Sequence, residues 1–432
     1  KGVFFMNYEF KDGLEFAKEM DRLDKLGYLR ERFYLNENEI YMDGNSLGLS
    51  SKDSEEALLD VFNVWKKEGI KIWGTREGYF FNLSRNIAKK LKSLINADEN
   101  EIIVMGSITS NIHQALATFY KPTKERYKIL VDELNFPTDI YATKSIIELK
   151  GLNVDDVLVK VKSNDSRTIR EEDIIEKMDD DVALILLPSV LYRSAQLLDM
   201  KLITKKAHDR GIIIGWDLAH SIGAIPHDFK KIEPDFAVWC SYKYLSAGPG
   251  ATAGMYINKR HFNKSAGLKG WFGSKDESQF LMSHDFDQDT DANGCLLGSH
   301  NMFSMAPIDG VLNIFSEATI ENIRSKSLHI TAYLMYLIDN KLAKYGYVVG
   351  NPREDHKRGG HVSLEHDEAY RISLALRDNN VIPDYREPNV IRLAPTALYN
   401  TYEDVYNLVE ILEKIVKENE FENYSLDRVT VL

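Results

Sequence analysis

Seven apolar runs of strand length, separated for the most part by helical patterns, constrain the fold of this chain more than any other feature. The runs cover residues 102–105, 128–131, 157–161, 182–187, 212–216, 236–240 and 254–257. Because parallel strands are joined by crossover connections that are usually helices, this alternation predicts a mostly parallel sheet with helices on both faces. We therefore expect an α/β fold built on a seven-stranded sheet.

Two further units flank this region. Residues 8–32 alternate charged and apolar side chains at helical spacing, which predicts one or two amphipathic helices. A long helical stretch begins near Pro307 and runs to Leu342, and a smaller α/β unit follows at residues 347–349, 360–364, 368–377, 389–395 and 402–417. Since 432 residues exceed a single core, we predict a helical segment at 1–40, a large domain at 41–315 and a small domain at 316–432.

The composition restricts the partners and the compartment. The 54 basic and 66 acidic residues give a net charge of −12 without a basic cluster, which argues against nucleic acid and membrane surfaces as partners. No apolar run is long enough to span a bilayer, and we predict no metal site. Two cysteines cannot form a disulfide framework, so we expect a reducing, cytoplasmic location.

The chain begins at Lys1, and we expect the residues before Met6 to be an addition to the natural sequence. The apolar run at 3–6 is too short for the apolar core of a signal peptide, and acidic residues follow it. We therefore predict no secretory signal.

Lys243 follows the apolar run at 236–240 and precedes a glycine-rich turn at 248–254. This position puts an amine at the mouth of the sheet, where α/β proteins bind ligands. A solvated loop lysine is the simpler interpretation, because lysine is rarely buried. Asp217 and His220, however, end the preceding apolar run, so an aspartate, a histidine and a lysine are expected to line one edge.

These three groups suit an aldehyde cofactor that carries a pyridine ring. The lysine would hold the aldehyde as a Schiff base, the aspartate would keep the ring nitrogen protonated, and the histidine would pack nearby. A partly desolvated lysine is also a usable nucleophile toward a carbonyl. The sequence therefore predicts pyridoxal 5'-phosphate as the cofactor.

Three other strand ends carry suitable groups. Small and hydroxyl residues at 106–109 start a helix, where free N–H groups favour a phosphate, although ordinary helix capping explains the same residues. Phe136 could stack on a flat ring, and Asp139 either accepts a hydrogen bond from a ring substituent or caps the next helix. Polar groups also follow the fourth strand at 188–194. The convergence of four strand ends predicts a ligand site.

Two loops and an arginine have open interpretations. The loop at 44–48 is either an ordinary turn or a shaped binding loop. The aromatic residues from Trp65 to Phe81 either wall a pocket for an aromatic ligand or belong to the core. Arg392 stands between apolar residues, and a buried arginine there requires an anion, from the protein or from a substrate.

Over nearly its whole length the chain resembles the kynureninase family of fold-type-I pyridoxal-phosphate enzymes. The motifs most specific to that family are C-S-Y-K-Y-L at 240–245 and G-W-F-G at 270–273. The match extends from G-N-S-L-G at 44–48 to R-L-A-P at 392–395. The D-L-A-H block at 217–220 is shared more widely among fold-type-I enzymes.

The resemblance implies roles for individual residues. The catalytic residues would be Lys243, which carries the Schiff base and moves a proton, Asp217 at the pyridinium, and Tyr242, which protonates the departing carbon. The cofactor would also contact Ile108, Thr109, Phe136, Asp139, His220, Tyr242, Trp271 and Ser299. The substrate would contact Arg392 through its α-carboxylate, and Asn45, Ser46, His300 and Asn301. A homodimer with shared sites is implied, in which Trp271 and Ser299 reach across from the partner.

The chain departs from the family pattern at two places. Ala195 stands where the family commonly has glycine, and the segment at 299–301 lacks the proline that is usual nearby. These departures leave the cofactor chemistry intact and concern the aromatic end of the substrate pocket.

The implied reaction is hydrolysis of the Cβ–Cγ bond of L-kynurenine to anthranilate and L-alanine, a step of tryptophan degradation and NAD biosynthesis. The sequence does not decide whether 3-hydroxy-L-kynurenine, which gives 3-hydroxyanthranilate, is also cleaved. Alternatives are an aminotransferase, a homologue that acts on another β-substituted amino acid, a non-catalytic binding protein, and a cysteine desulfurase. The desulfurase requires a mobile thiol, whereas Cys240 is expected in a strand and Cys295 is the one loop candidate.

Overall fold

The computed structural model describes residues 9–427. Residues 1–8, with the expected addition before Met6 and the predicted helix start at Tyr8, lie outside the described residues, as do residues 428–432. The described helices are α1 (Leu14–Leu23), α2 (Lys52–Glu68), α3 (Leu83–Ile95), α4 (Ile108–Phe119), α5 (Pro137–Leu149), α6 (Val154–Val157), α7 (Glu171–Glu176), α8 (Met200–His208), α9 (Phe229–Ile232), α10 (Asp276–Gln279), α11 (Met302–Ala318), α12 (Ile320–Leu337), α13 (Ala369–Asp378) and α14 (Tyr402–Lys417). The strands are β1 (Ile40–Tyr41), β2 (Ile102–Val104), β3 (Lys128–Asp132), β4 (Leu158–Val161), β5 (Val182–Pro188), β6 (Ile213–Asp217), β7 (Phe236–Trp239), β8 (Gly254–Ile257), β9 (Val348–Val349), β10 (Val362–Glu365), β11 (Val381–Ile382), β12 (Asp384–Arg386) and β13 (Val390–Leu393).

The central sheet has seven strands in the order β2-β8-β7-β6-β5-β3-β4. Strands β3 to β7 pair in parallel, whereas β8 runs antiparallel to both of its neighbours. The prediction of a mostly parallel seven-stranded sheet is therefore confirmed, and each predicted run coincides with one strand to within two residues.

Both faces of the sheet are buried, which explains why its strands are continuous apolar runs. Successive side chains of a strand point to opposite faces, and β5 shows the pattern. Ile185 and Leu187 pack into the core that contains α3, α8 and α11. Leu184 and Leu186 pack into the opposite core, which contains α4 and α5.

The C-terminal unit is a four-stranded antiparallel sheet in the order β12-β13-β10-β9. Its core joins side chains of α12, α13 and α14 with Ala17 of α1, so the N-terminal helix packs on the C-terminal unit. Strand β1 pairs in parallel with β11, Ile40 opposite Val381. The domain boundaries stay a prediction.

The stretch predicted to be helical from near Pro307 to Leu342 is helical, but the structure corrects its start and divides it. The segment forms two helices, α11 and α12, which meet at Thr319, a residue with a positive φ of 61°. Helix α11 begins at Met302, so Pro307 lies inside it and not at its start. Proline is most common in the first turn of a helix, whereas Pro307 lies five residues after the first residue of α11. Within residues 9–427, no helix is both long and apolar enough to cross a membrane.

Candidate active site

A cavity of 180 Å³ opens where β5, β6 and β7 end at their carboxyl termini. The cavity brings together many of the predicted site residues, namely Ser46, Ile108, Phe136, Asp217, His220, Tyr242, Lys243 and Arg392. These residues come from strand ends and loops that are up to 346 positions apart in the sequence. This is the edge at which open α/β sheets bind ligands.

Lys243 Nζ lies 3.0 Å from His220 Nε2 and 5.7 Å from the centre of the Phe136 ring. Burial, and after it the positive charge of Lys243, lower the pKa of His220 well below its usual value. The imidazole is therefore neutral, so its Nε2 can accept a hydrogen bond from the lysine ammonium. The contact holds Lys243 in the cavity.

Three buried carboxyl groups, those of Asp132, Asp139 and Asp217, form a cluster next to the lysine. Asp217, the last residue of β6, accepts a hydrogen bond of 2.6 Å from the Ala219 amide. Burial, together with Asp217 and Asp132, raises the pKa of Asp139 well above its usual range, while Lys243 acts in the opposite direction. The carboxyl groups of Asp139 and Asp217 lie within reach of one shared hydrogen bond, which requires a proton on one of them. Since neighbouring buried carboxyl groups cannot all ionise at low cost, the cluster would be stabilised by a further cation.

The free-energy cost of ionising a buried carboxyl group can be measured at Asp132, because it makes the stability of the folded protein depend on pH. Burial raises its pKa to about 7 in the folded chain, against about 3.9 for an unfolded aspartate. Between these two pKa values the folded protein binds more protons than the unfolded one. Asp132 therefore lowers the stability of the folded protein increasingly as the pH rises from about 4 to 7. The loss is up to about 1.4 kcal/mol per pH unit. We expect Asp132→Asn to stabilise the cofactor-free protein more at pH 7.5 than at pH 5.5, measured by urea unfolding. Equal differences at the two pH values would contradict this pKa.

The first turn of α4 borders the cavity. Ser107 caps the helix by accepting a hydrogen bond of 3.2 Å from the Ser110 amide, so the capping interpretation holds. Ile108 lines the cavity, and Thr109 Oγ1 lies 2.8 Å from the hydroxyl of Thr138, which also lines it. Gly106 has a φ of +52°, and a Cβ there would collide with the Ser110 hydroxyl. First-turn amides have no partner within their own helix, and Ile108, the first residue of α4, lines the cavity.

The loop at 44–48 packs against the segment that carries the lysine. The Gly48 amide donates a hydrogen bond of 2.8 Å to the Tyr242 carbonyl, and a Cβ on Gly48 would collide with the Lys243 carbonyl. Asn45 is fully buried, and its side-chain amide has no hydrogen-bond partner in the described chain. Ser46 lies 3.0 Å from Arg392 Nη2. The loop is therefore part of the site and not an ordinary surface turn.

Arg392 is buried in β13 and already has a protein anion. Its Nε and Nη2 both donate to Asp384 Oδ2, and its Nη1 donates to the Tyr192 carbonyl at 2.7 Å. Asp384 is thus the carboxylate that a buried arginine requires. The contact between Arg392 and a substrate carboxylate stays a prediction.

Seven predicted site residues do not line this cavity. Asn45, Thr109 and Asp139 are next in sequence to residues that do, namely Ser46, Ile108 and Thr138. The other four lie elsewhere within one chain. Trp271 donates to the Gln279 carbonyl at 2.8 Å. Ser299, His300 and Asn301 line a separate cavity of 200 Å³ beside the start of α4. Burial lowers the pKa of His300 to about 4, so this side chain is neutral at neutral pH. The predicted ligand contacts of these four residues stay predictions. Trp271 and Ser299 are expected to make theirs in the site of a partner subunit.

Sequence comparisons agree with the resemblance. The family described as Kynureninase C-terminal domain matches residues 323–412. A kynureninase of Bacillus thuringiensis subsp. konkukian is 54% identical over 98% of this chain and 99% of its own length. A kynureninase of Geobacillus thermodenitrificans is 50% identical over 97% of this chain and 98% of its own. The chain belongs to the kynureninase family.

Solved structures with the same fold include cysteine desulfurases. One from Thermococcus onnurineus NA1 has a TM-score of 0.78 at 18% identity, over 90% of this chain and 98% of that chain. The desulfurase CsdA from Escherichia coli has a TM-score of 0.76 at 17% identity, over 91% and 99%. At this identity the likeness shows the fold alone, and it confirms the predicted fold class.

The thiols of this kynureninase-family chain do not suit a desulfurase. Cys240 lies just after β7, not within it as predicted, and lines the cavity. Burial raises its pKa, and burial raises the pKa of Cys295 to about 12. Both thiols are buried and protonated at neutral pH, whereas a thiol nucleophile must be ionised and accessible.

Several polar groups of the site were not among the residues predicted from the sequence. Asp384 and Arg386 come from β12, a three-residue strand between Pro383 and Pro388, which is too short for a periodic signal. His361 follows two glycines, and its ring centre lies 5.9 Å from that of His220. The charges of opposite sign that flank one aromatic residue at 384–386 were the available sign of an ion pair, and Asp384 and Arg386 lie 3.1 Å apart.

The aromatic residues between Trp65 and Phe81 pack away from the cavity that holds Lys243. Trp73 packs on Phe81 and Phe272, with ring centres 6.1 and 6.4 Å apart. Phe272 in turn packs on His300 at 5.2 Å. These rings therefore pack beside the 299–301 segment and do not line the cavity that holds Lys243.

Proposed function

We propose that this chain is a pyridoxal-phosphate-dependent hydrolase that cleaves the Cβ–Cγ bond of L-kynurenine to anthranilate and L-alanine. The observation that carries the proposal is the convergence of Lys243, Asp217 and Arg392 on one cavity in a member of the kynureninase family. The proposed setting is the cytoplasm, which two free, buried cysteines support.

The residues of the cavity fit the cofactor. Asp132, Asp139 and Asp217 form a buried acidic cluster, and the positive charge of Lys243 acts on Asp139 and Asp217. A protonated pyridine nitrogen beside Asp217 would supply the second positive charge that the cluster lacks. A ring in that position would be within reach of Phe136, whose ring lies 5.7 Å from Lys243 Nζ.

Other residues would hold the remaining parts of the cofactor. The first turn of α4, with Ile108 and Thr109, would bind the phosphate through backbone amides and a hydroxyl. Asp139 would accept a hydrogen bond from the ring hydroxyl. When bound through Lys243, the cofactor stabilises negative charge that develops on the substrate.

The protein groups supply the proton transfers. Lys243 Nζ, held 3.0 Å from His220, would take the proton from the substrate α-carbon. Burial, and then the neighbouring Cys240, raise the pKa of Tyr242 above its usual value. The phenol therefore keeps its proton at neutral pH and can deliver it to the departing carbon.

Borohydride reduction tests the covalent attachment. The purified protein should be yellow and lose that colour on reduction. Digestion should then recover one modified lysine, Lys243. A colourless protein after incubation with pyridoxal phosphate, or label on another lysine, would contradict the cofactor assignment.

A homodimer with shared sites is part of the proposal. Phe62, Trp65 and Phe303 are 44%, 52% and 45% exposed and pack on one another, with ring centres 5.8 to 6.4 Å apart. A contiguous aromatic patch of this kind is typical of protein–protein interfaces. The patch adjoins the 299–301 segment. Its position supports the proposal that a partner subunit binds here and that Ser299 and Trp271 reach the partner's site. Light scattering tests this, and a monomer at micromolar concentration would contradict it.

We further propose that the 299–301 segment selects the aryl ring of the partner's substrate. Loss of a polar contact in a pocket changes selectivity by about ten- to a hundredfold. His300→Ala and Asn301→Ala should therefore lower kcat/KM for 3-hydroxy-L-kynurenine more than for L-kynurenine. Steady-state kinetics on both substrates measure the ratio. Equal losses would show that the segment only shapes the pocket.

A further inference from the structure

We infer that Tyr192 is a positioning residue that fixes the two ends of the site relative to one another. It contacts Arg392, the residue expected to bind the α-carboxylate of the substrate, and its ring packs on Phe136, the residue expected to stack on the cofactor. This inference rests on the proposed function, because it concerns the spacing between the cofactor and the amino-acid end of the substrate.

Phe136 depends on Tyr192 for its orientation. Phe136 is 41% exposed, so the core surrounds only part of its ring. The ring centre of Tyr192 lies 5.4 Å from that of Phe136, with the two planes at 87°. This is the edge-to-face arrangement that aromatic pairs prefer. Within residues 9–427, Tyr192 is the one aromatic residue that packs on Phe136 in this way, so the orientation of the Phe136 ring depends on it.

Tyr192 also contacts Arg392 at two points. The Tyr192 carbonyl accepts a hydrogen bond of 2.7 Å from Arg392 Nη1, and the guanidinium carbon lies 5.9 Å from the centre of the Tyr192 ring. A guanidinium group within about 6 Å of an aromatic face is attracted to it. Asp384 already holds Nε and Nη2 of Arg392. The contacts with Tyr192 therefore complete the support of the guanidinium group on the Nη1 side.

The turn that carries Tyr192 is anchored to both parts of the molecule. It follows β5 of the central sheet, and the Leu191 amide donates a hydrogen bond of 2.9 Å to the Gln196 carbonyl. The Ala195 carbonyl accepts a hydrogen bond of 2.7 Å from the amide of Gly359, which precedes β10 of the C-terminal sheet. Tyr192 thus has a fixed base between the sheet edge near Phe136 and the sheet that carries Arg392.

Tyr192→Leu tests the role of the ring at the cofactor end, because leucine keeps apolar volume and has no aromatic face. The variant should bind pyridoxal phosphate about three- to tenfold more weakly, since Phe136 loses its edge-to-face partner. Titration of the cofactor-free protein with pyridoxal phosphate, followed by visible absorption, measures this affinity.

The same variant should lose affinity at the carboxylate end. At saturating cofactor its KM for L-kynurenine should rise by about three- to tenfold, with kcat changed less, because Arg392 loses an aromatic contact. The carboxamide of L-kynurenine has no negative charge for Arg392 to bind, so its Ki as an inhibitor should change little. Tyr192→Phe keeps the ring and the backbone carbonyl, and it should recover most of both losses.

Tyr141→Leu is the matched control. Tyr141 is 66% exposed on α5 and does not line the cavity. The same replacement there should leave both affinities unchanged. Far-UV circular dichroism shows whether each variant is folded.

Three results would overturn the inference. The first is wild-type affinity of Tyr192→Leu for the cofactor, for L-kynurenine or for both, because the ring would then not fix both ends. The second is a loss in Tyr192→Phe as large as that in Tyr192→Leu, because the hydroxyl would then matter and not the ring. The third is a Ki for the carboxamide that rises as much as KM, because the effect would then not pass through Arg392.

Failure of the proposed function gives a different result. A wild-type protein that binds the cofactor without cleaving L-kynurenine would contradict the proposed function. Binding of L-kynurenine to the loaded protein, measured from the visible spectrum, would then replace KM, and the cofactor titration would decide the role of Tyr192 as before.

Discussion

Lys243→Ala should abolish the cleavage of L-kynurenine, lowering kcat by about a thousandfold or more, since the variant loses both the covalent attachment of the cofactor and the proton carrier. The fold should persist, because within residues 9–427 the Lys243 side chain makes one hydrogen bond, to His220. The variant should still bind the cofactor without a covalent bond, through the first turn of α4. Single-turnover kinetics and far-UV circular dichroism measure the two effects.

Lys205→Ala is the control for the loss of a lysine. Lys205 lies on the surface of α8 and pairs with Asp209 one helical turn away, so its replacement should leave kcat unchanged. Near-normal turnover by a folded Lys243→Ala variant would remove the assignment of Lys243.

Arg392→Ala should affect both binding and stability. The variant leaves the buried carboxylate of Asp384 without its main partner, which costs about 3–5 kcal/mol in buried pairs. It should also raise KM for L-kynurenine by more than tenfold, since truncation of a buried charge pair costs about 2–5 kcal/mol of binding. Arg392→Lys should show smaller losses of both kinds than Arg392→Ala, because lysine keeps the positive charge. Some loss should remain, because lysine cannot reproduce the forked contact. Urea unfolding and steady-state kinetics measure the two losses separately.

A double variant separates the ion pair from the substrate contact. Arg392→Ala combined with Asp384→Asn removes both buried charges, so part of the lost stability should return while KM stays high. Arg386→Ala should lose little stability by comparison, because Arg386 is partly exposed. An Arg392→Ala variant with wild-type stability would contradict the buried pairing with Asp384.

The central sheet was predictable because its strands are buried on both faces. Leu184 to Leu187 enter the two opposite cores in alternation, and this burial produces a continuous apolar run that periodicity analysis detects. Strands β11 and β12 were not predictable in the same way. They have two and three residues, so pairing with β1 and β13 in the folded chain defines them more than their own composition does.

The same distinction applies to the site. Lys243 and Asp217 were found because polar residues directly after apolar strands meet at one edge of a sheet. The contact of Ser46 with Asp384 spans 338 positions, and no local pattern encodes it. Trp271 and Ser299 lie outside the Lys243 cavity within one chain, so their proposed contacts depend on a second copy.

Product analysis with L-kynurenine tests the central claim most directly. The loaded protein should convert L-kynurenine to anthranilate and L-alanine in equal amounts, because hydrolysis of the Cβ–Cγ bond gives one of each. Anthranilate fluorescence and chromatography of alanine quantify both products in one sample. Consumption of L-kynurenine without alanine, or no consumption by protein that has bound the cofactor at Lys243, would contradict the proposed function.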